Sequence, residues 1–475
     1  LAASLELRRF CFISAIKSLV NSSTRGRSSV NTFSRPDLNA VYFFKYTFSK
    51  YSIRCISLSL TVDTFNINWL KKTLGPGILF ASTAIGVSHL VQSTRAGANY
   101  GFGFLIFIII ANLFKYPFFE FASRYSNVTG KSIIEGYKSL GKWVLWSYLL
   151  ITLISMFFIT SAVGAVTAGF LQNLFQTSEL GILNHLALFL VCGSILTLGK
   201  YSSLDSLIKI IGFVLLLSTL IAFLLVLIKG PVSDNLFPDV KYIKSDILFI
   251  IALMGWMPTA VDLSSWNSLW TLERIKQTNF KPTLNQTIFE FNIGYLSSAF
   301  LSLCFLTLGA YLMYGTENDF SNSSAIFANQ VITLYTQSIG SWSYLIISIS
   351  GFSIMFGTCI AVLDGYARSA KECFKLTFKR ENKIPYYTII IWAIILGSLI
   401  IISLFGSSIK SLVDLATTIS FMIAPFVAFA NYKLVSTQYV GRENSPQTWL
   451  KYLAIGGMIY LTGFGVLFLF VRIAL

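Results

Sequence analysis

The chain has 475 residues, of which 55% are hydrophobic and 12% charged, and its mean hydropathy is +0.69. A surface that apolar excludes an ordinary soluble domain and points to a body immersed in lipid. The net charge of +16 invites a nucleic-acid reading, but residues 1–72 hold 11 Lys/Arg against 3 Asp/Glu while the remainder holds 25 against 17, so half the excess sits in one short segment and no nucleic-acid partner is implied.

Residues 1–65 are rich in Ser, Arg and Asn and are expected to be a leader that is disordered or not native, with a basic targeting peptide as the alternative. The first Met is Met156, so the start codon is expected to be non-standard or to lie outside this sequence. A transmembrane domain is expected over residues 70–473.

Apolar segments long enough to cross about 30 Å of hydrocarbon fall at 75–98, 102–123, 143–172, 184–199, 206–229, 246–270, 287–315, 341–370, 385–405, 409–432 and 449–472. The chain therefore reads as an all-α integral membrane protein with eleven transmembrane helices.

The first span is interrupted. Gly86-Val87-Ser88-His89 puts a glycine, a hydroxyl and an imidazole at mid-depth, where backbone leaving the helix must line a protein-enclosed cavity because lipid cannot satisfy it. Arg95 comes later in the same span. The second span carries Lys115, an ammonium near mid-depth that needs a partner; Asp262, Glu120 and Asp364 are the acids available, although Glu120–Arg124 and Asp364–Arg368 are spaced i,i+4 and read as local pairs. The sixth span repeats the interruption at Gly255-Trp256-Met257-Pro258-Thr259, where Pro258 removes a backbone donor. Helices broken by Gly and Pro in matching positions of two halves mark a transporter's midplane site.

Loop charges set the orientation. Arg124, Lys131, Lys138 and Lys142 follow the second span, Lys200 the fourth, Arg274, Lys276 and Lys281 the sixth, Lys371, Lys375, Lys379, Arg380 and Lys383 the eighth, and Lys433, Arg442 and Lys451 the tenth; Glu179, Glu317 and Asp319 lie in loops after the third and seventh that hold no Lys or Arg. Positive-inside counting places the N-terminus in the cytoplasm and the C-terminus outside, with the plasma membrane the expected location.

Gly75-Pro76-Gly77, Ala96-Gly97-Ala98, Tyr100-Gly101 and Val128-Thr129-Gly130-Lys131 resemble the Nramp (natural resistance-associated macrophage protein) family of proton-coupled divalent-metal transporters. The resemblance implies two inverted five-helix repeats with broken helices 1 and 6 (LeuT-like) plus one extra C-terminal helix. It also implies symport of a metal such as manganese or iron with protons. The chain departs from the family where the ion binds. Asp-Pro-Gly-Asn is replaced by Gly86-Val87-Ser88-His89, Met-Pro-His-Asn by Met257-Pro258-Thr259-Ala260, and two acids linked to proton movement by Thr160 and Val163.

The candidate substrate-binding residues are accordingly Gly86, Ser88, His89, Met257 and Thr259, with His89 and Met257 as metal ligands, and Arg95, Lys115 and Asp262 as pathway or coupling residues. Duller roles compete: Ser88 as an N-cap, Thr259 with Asp262 as a capping box, and Met257 as packing. Divalent ions generally want carboxylate oxygen, so a small anion such as bicarbonate is the alternative substrate. Restoring the family's ligands with Gly86→Asp and His89→Asn is expected to raise affinity for manganese if the site lacks only those groups, and to abolish native transport with little gain of metal affinity if the pocket is arranged for an anion.

Cys11, Cys55, Cys192, Cys304, Cys359 and Cys373 form no CxxC, the only histidines are His89 and His185, and no nucleophile or phosphate-loop motif occurs. A membrane-embedded enzyme is the remote alternative. No cofactor and no obligate protein partner are implied beyond the ion and the bilayer.

Overall fold

A computed structural model describes residues 72–198, 216–316, 320–378, 385–405 and 408–474. The leader, Lys200, the start of the fifth span, Glu317, Asp319, Lys379, Arg380 and Lys383 lie outside the described residues.

All regular structure among the described residues is helical, with no strand. In chain order they form α1 (Pro76–Ala84), a π-helical turn (Ser88–Ser93), α2 (Thr94–Tyr100), α3 (Leu105–Thr129), α4 (Ile133–Leu140), α5 (Lys142–Phe175) and α6 (Ile182–Leu198). Next come α7 (Leu216–Lys229), α8 (Lys244–Gly255), a 3-10 turn (Val261–Leu263), α9 (Ser264–Thr278), α10 (Leu284–Leu312) and α11 (Ser324–Ile339). The chain continues through α12 (Tyr344–Phe378), α13 (Tyr386–Phe405), α14 (Ile409–Leu434), α15 (Thr437–Asn444) and α16 (Thr448–Ala474). Seven helices, α3, α5, α10, α12, α13, α14 and α16, are long and apolar enough to cross a membrane by themselves. The other four expected spans coincide with the interrupted pairs α1–α2 and α8–α9 and with the shorter apolar helices α6 and α7. Leu113, Leu150, Leu296, Ile400 and Ile459 are among the large apolar side chains left exposed, as expected of helices that face lipid.

Both interruptions are present, the first in a different form from the one expected. α1 stops at Ala84, only Ile85 and Gly86 leave the helix, and residues 88–93 rewind as π-helix rather than staying unwound through His89. The Ser88 hydroxyl reaches back to the Ala84 carbonyl, so a side chain bridges the gap and the backbone can resume at once. The second break runs from Trp256 to Ala260 and includes a cis Met257–Pro258 peptide.

Two glycine contacts hold the broken first span along α10. A Cβ on Gly294 would lie 2.1 Å from the Gly77 carbonyl oxygen, and one on Gly309 would lie 2.2 Å from that of Thr94. Backbone meets backbone at both points, which only residues without a side chain permit. Glu290, also on α10, accepts the Gly75 and Gly77 amides at 3.0 and 2.7 Å, placing a carboxylate on the N-terminus of α1 where its unpaired donors and dipole favour one.

Gly294→Ala should therefore lower stability by roughly 1–3 kcal/mol through forced separation of backbones. Gly463→Ala, where nothing lies within 4 Å of the added methyl, should leave it unchanged or slightly higher. Thermal unfolding of the two purified variants measures the difference.

Candidate functional site

A cavity of about 20 Å³ lies where the two breaks meet, enough for roughly one water-sized body. Thr83, Val87 and Ser88 wall it from the first break, Trp256, Thr259, Ala260 and Leu263 from the second, Ile159 and Val163 from α5, and Thr358 and Val362 from α12. Val163, at a position that is acidic in the family resembled, thus contributes an apolar wall.

Four hydroxyl-bearing residues line this space, and the fate of their hydrogens decides its chemistry. Thr83 donates to the Leu79 carbonyl at 2.7 Å, Ser88 contacts that of Ala84, and Thr358 donates to that of Ser82 at 3.0 Å. A hydroxyl whose hydrogen is committed to a carbonyl offers lone pairs to whatever stands in front of it. Thr259 has no side-chain hydrogen bond to a described residue, leaving its hydroxyl free to turn. The Trp256 indole N–H, the other donor in the wall, is taken by Ser420 at 2.8 Å. The lining is mostly apolar, and apart from Thr259 its polar side chains have no hydrogen left to donate.

Of the sequence candidates, the structure brings Ser88 and Thr259 to the cavity. His89 is fully buried but not in the wall: its Nδ1 lies 2.6 Å from the Ser88 hydroxyl and its Nε2 2.8 Å from the Ser298 carbonyl oxygen. That carbonyl can only accept, so Nε2 carries a proton and the imidazole braces the break against α10. Met257 is also absent from the wall, its sulfur facing the Ser93 hydroxyl at 3.8 Å. His89 and Met257 are not brought together as a ligand pair, and among the described residues no group of three His, Cys, Asp or Glu side chains converges.

Gly86 is held against α12. A Cβ there would fall 2.5 Å from the Thr358 methyl and 2.7 Å from its hydroxyl, so the position of the family's carboxylate is filled by a threonine from another helix. A side chain introduced by Gly86→Asp would have to displace Thr358 to reach the cavity.

The expected caps are absent as well. Ser88 turns back to α1 instead of capping the π-helical turn it opens. The helix after the second break begins only at Ser264, with no side-chain cap, and Asp262 leaves Oδ1 without a partner. Glu120 and Asp364 do form their local pairs, with Arg124 and Arg368. Arg95 is neutralised by Asp414 of α14 at 2.9 Å, receives Gln92 as a further partner, and lies over the Phe249 ring. It therefore presents no free charge to repel a cation.

Sequence reading missed Thr83 and Thr358. Thr83 stands one turn before Gly86 on the same face and could have been found by helical spacing. Thr358 could not, because nothing within the eighth span marks it.

Two broken helices packed side by side around a small cavity, in an all-helical body with lipid-facing apolar sides, define a membrane transporter and not an enzyme. The chain belongs to the Nramp family, natural resistance-associated macrophage protein-like, whose model matches residues 77–471. It is 34% identical over 417 residues to an uncharacterized protein of Pasteurella multocida, covering 86% of this chain and 95% of that one. It is 22% identical over 427 residues to a divalent metal cation transporter of Levilactobacillus brevis, covering 82% and 86%. Among solved structures it resembles a manganese transporter of Eremococcus coleocola, with a TM-score of 0.63, 16% identity and coverage of 86% and 88%.

Two variants test this geometry. Gly86→Ala should cost roughly 1–3 kcal/mol of stability, and most of that should return when Thr358→Ala is added, since both changes act on one contact. His89→Ala should lower the melting temperature by removing the ring that ties the break to the Ser298 carbonyl of α10, a loss of about 1–3 kcal/mol that His89→Gln, which keeps a donor, partly restores.

Proposed function

We propose that this protein is a secondary active transporter that carries a divalent metal cation of the manganese or iron kind through the cavity between its two breaks, coupled to protons. The observation that carries the reading is the direction of the hydroxyls. Thr83 and Thr358 commit their hydrogens to backbone carbonyls, and the Ser88 hydrogen is held between the Ala84 carbonyl and His89 Nδ1, so of the four hydroxyls at the cavity only that of Thr259 is left with a hydrogen to offer an anion. The cavity's size suits a small ion stripped of its water better than a polyatomic one.

Family membership supports the same substrate class, as do a relative described as a divalent metal cation transporter and a fold shared with a manganese transporter. Ser88 and Thr259 would serve as ligands with Thr83 and Thr358, Gly86 would allow α12 to approach, and His89 would hold the first break in position. With neutral oxygens only, the ion should be held weakly, since ligand charge tunes the affinity of such sites. Eleven crossings would place the N-terminus in the cytoplasm and the C-terminus outside, in the plasma membrane.

Proteoliposome uptake of labelled manganese against labelled bicarbonate, each with and without an imposed proton gradient, tests the proposal. Manganese uptake that rises with an inward proton gradient and falls at least tenfold in Thr259→Val is the expected result. Saturable bicarbonate uptake with no manganese uptake would overturn it and restore the anion alternative.

A further inference from the structure

Lys115 lies on α3, fully buried, and its partners are not side chains. Its Nζ stands 2.5 Å from the carbonyl oxygen of Met254, 2.8 Å from that of Gly255 and 3.2 Å from that of Thr259. Met254 and Gly255 close α8, where the chain departs at Trp256; the Met254 carbonyl keeps the Met257 amide at 3.3 Å, while among the described residues no backbone amide outside the helix reaches that of Gly255. Thr259 belongs to the irregular stretch itself. The three oxygens converge at the negative end of a half-helix dipole.

The count of hydrogens fits a charged amine. A protonated lysine has three N–H donors and no acceptor, and the site has three acceptors. A neutral amine, with two N–H groups, could donate to only two of them.

The acids that sequence offered as partners do other things. Glu120 is taken by Arg124, and Asp364 by Arg368 and the Tyr387 hydroxyl. Among the described residues Asp262 receives the Tyr366 hydroxyl at 3.5 Å and no partner at Oδ1, so it acts on Lys115 through the electrostatic field and not by contact.

We infer that the Lys115 ammonium is a tethered cation occupying a three-carbonyl cation site at the second break. The break is thereby held in shape without an ion drawn from solution, and the oxygens of Met254, Gly255 and Thr259 are closed to the transported ion. That ion must then find its ligands among the hydroxyls of Thr83, Ser88, Thr259 and Thr358. The inference stands whichever ion is carried, because it concerns a site the protein fills with its own side chain.

Lys115→Ala empties the site, and n-propylammonium matches the deleted Cγ, Cδ, Cε and Nζ atoms. The purified variant should unfold at a lower temperature than the wild type. Its melting temperature should rise with the logarithm of propylammonium concentration, stay flat in tetramethylammonium at the same ionic strength, and leave the wild type insensitive to both. A variant as stable as wild type, or indifferent to propylammonium, or equally responsive to tetramethylammonium, which has no N–H, would overturn the inference. Should Lys115→Ala not be recoverable as folded protein, Lys115→Met is compared with Lys115→Met combined with Asp262→Asn. If both remain unfolded, the carbonyls require a cation as inferred; if the second change restores folding, Lys115 serves only to balance Asp262 and the carbonyl site is refuted.

Discussion

A helix interrupted in hydrocarbon exposes carbonyls and amides that no water can reach, and each unsatisfied group costs several kcal/mol. This chain interrupts two helices at one place, and the surroundings of the interruptions can be understood as the satisfaction of those groups. At the first break a hydroxyl returns to the Ala84 carbonyl, and an imidazole ties the same hydroxyl to α10. At the second an ammonium gathers three carbonyls. The two solutions differ because the first break is short and rewinds within two residues, whereas the second leaves a five-residue stretch from Trp256 to Ala260 outside the helix.

The chemistry of the cavity has its origin in the same constraint. Polar groups nearby are consumed in holding the backbone, so the groups still facing the space are those the backbone did not need. Backbone carbonyls need donors, and the hydroxyls that supply them are left as acceptors. The fixed positive charges are likewise spent, Lys115 on carbonyls and Arg95 on Asp414. A site without a carboxylate can in this way still be a cation site, though a weak one, and the loss of the family's Asp-Pro-Gly-Asn need not reverse the sign of the substrate.

How far this could be read from sequence depended on whether the controlling feature was local. The two breaks were legible because Gly86 and Pro258 act on their own helices, and the i,i+4 acid–base pairs because their partners are one turn away. The π-helical rewinding was not, since it depends on where the Ser88 and His89 side chains find partners, and Ser298 lies more than two hundred residues on. Lys115 was flagged for its depth but its partners were sought among acids, when they are backbone atoms that leave no trace in a sequence. Helix α11 is legible in the sequence, since Phe327, Ala328, Val331, Ile332 and Tyr335 recur at helical spacing and are all buried, but it is too short and too polar between them to register as a span.

The central claim is that the transported ion binds between the two breaks on neutral oxygens. Anomalous diffraction from crystals of the full chain equilibrated with manganese tests it directly. One strong peak enclosed by Thr83, Ser88, Thr259 and Thr358 is the predicted result. A sole peak elsewhere, for instance at the half-exposed carboxylate of Asp414, or no peak at saturating manganese, would contradict it.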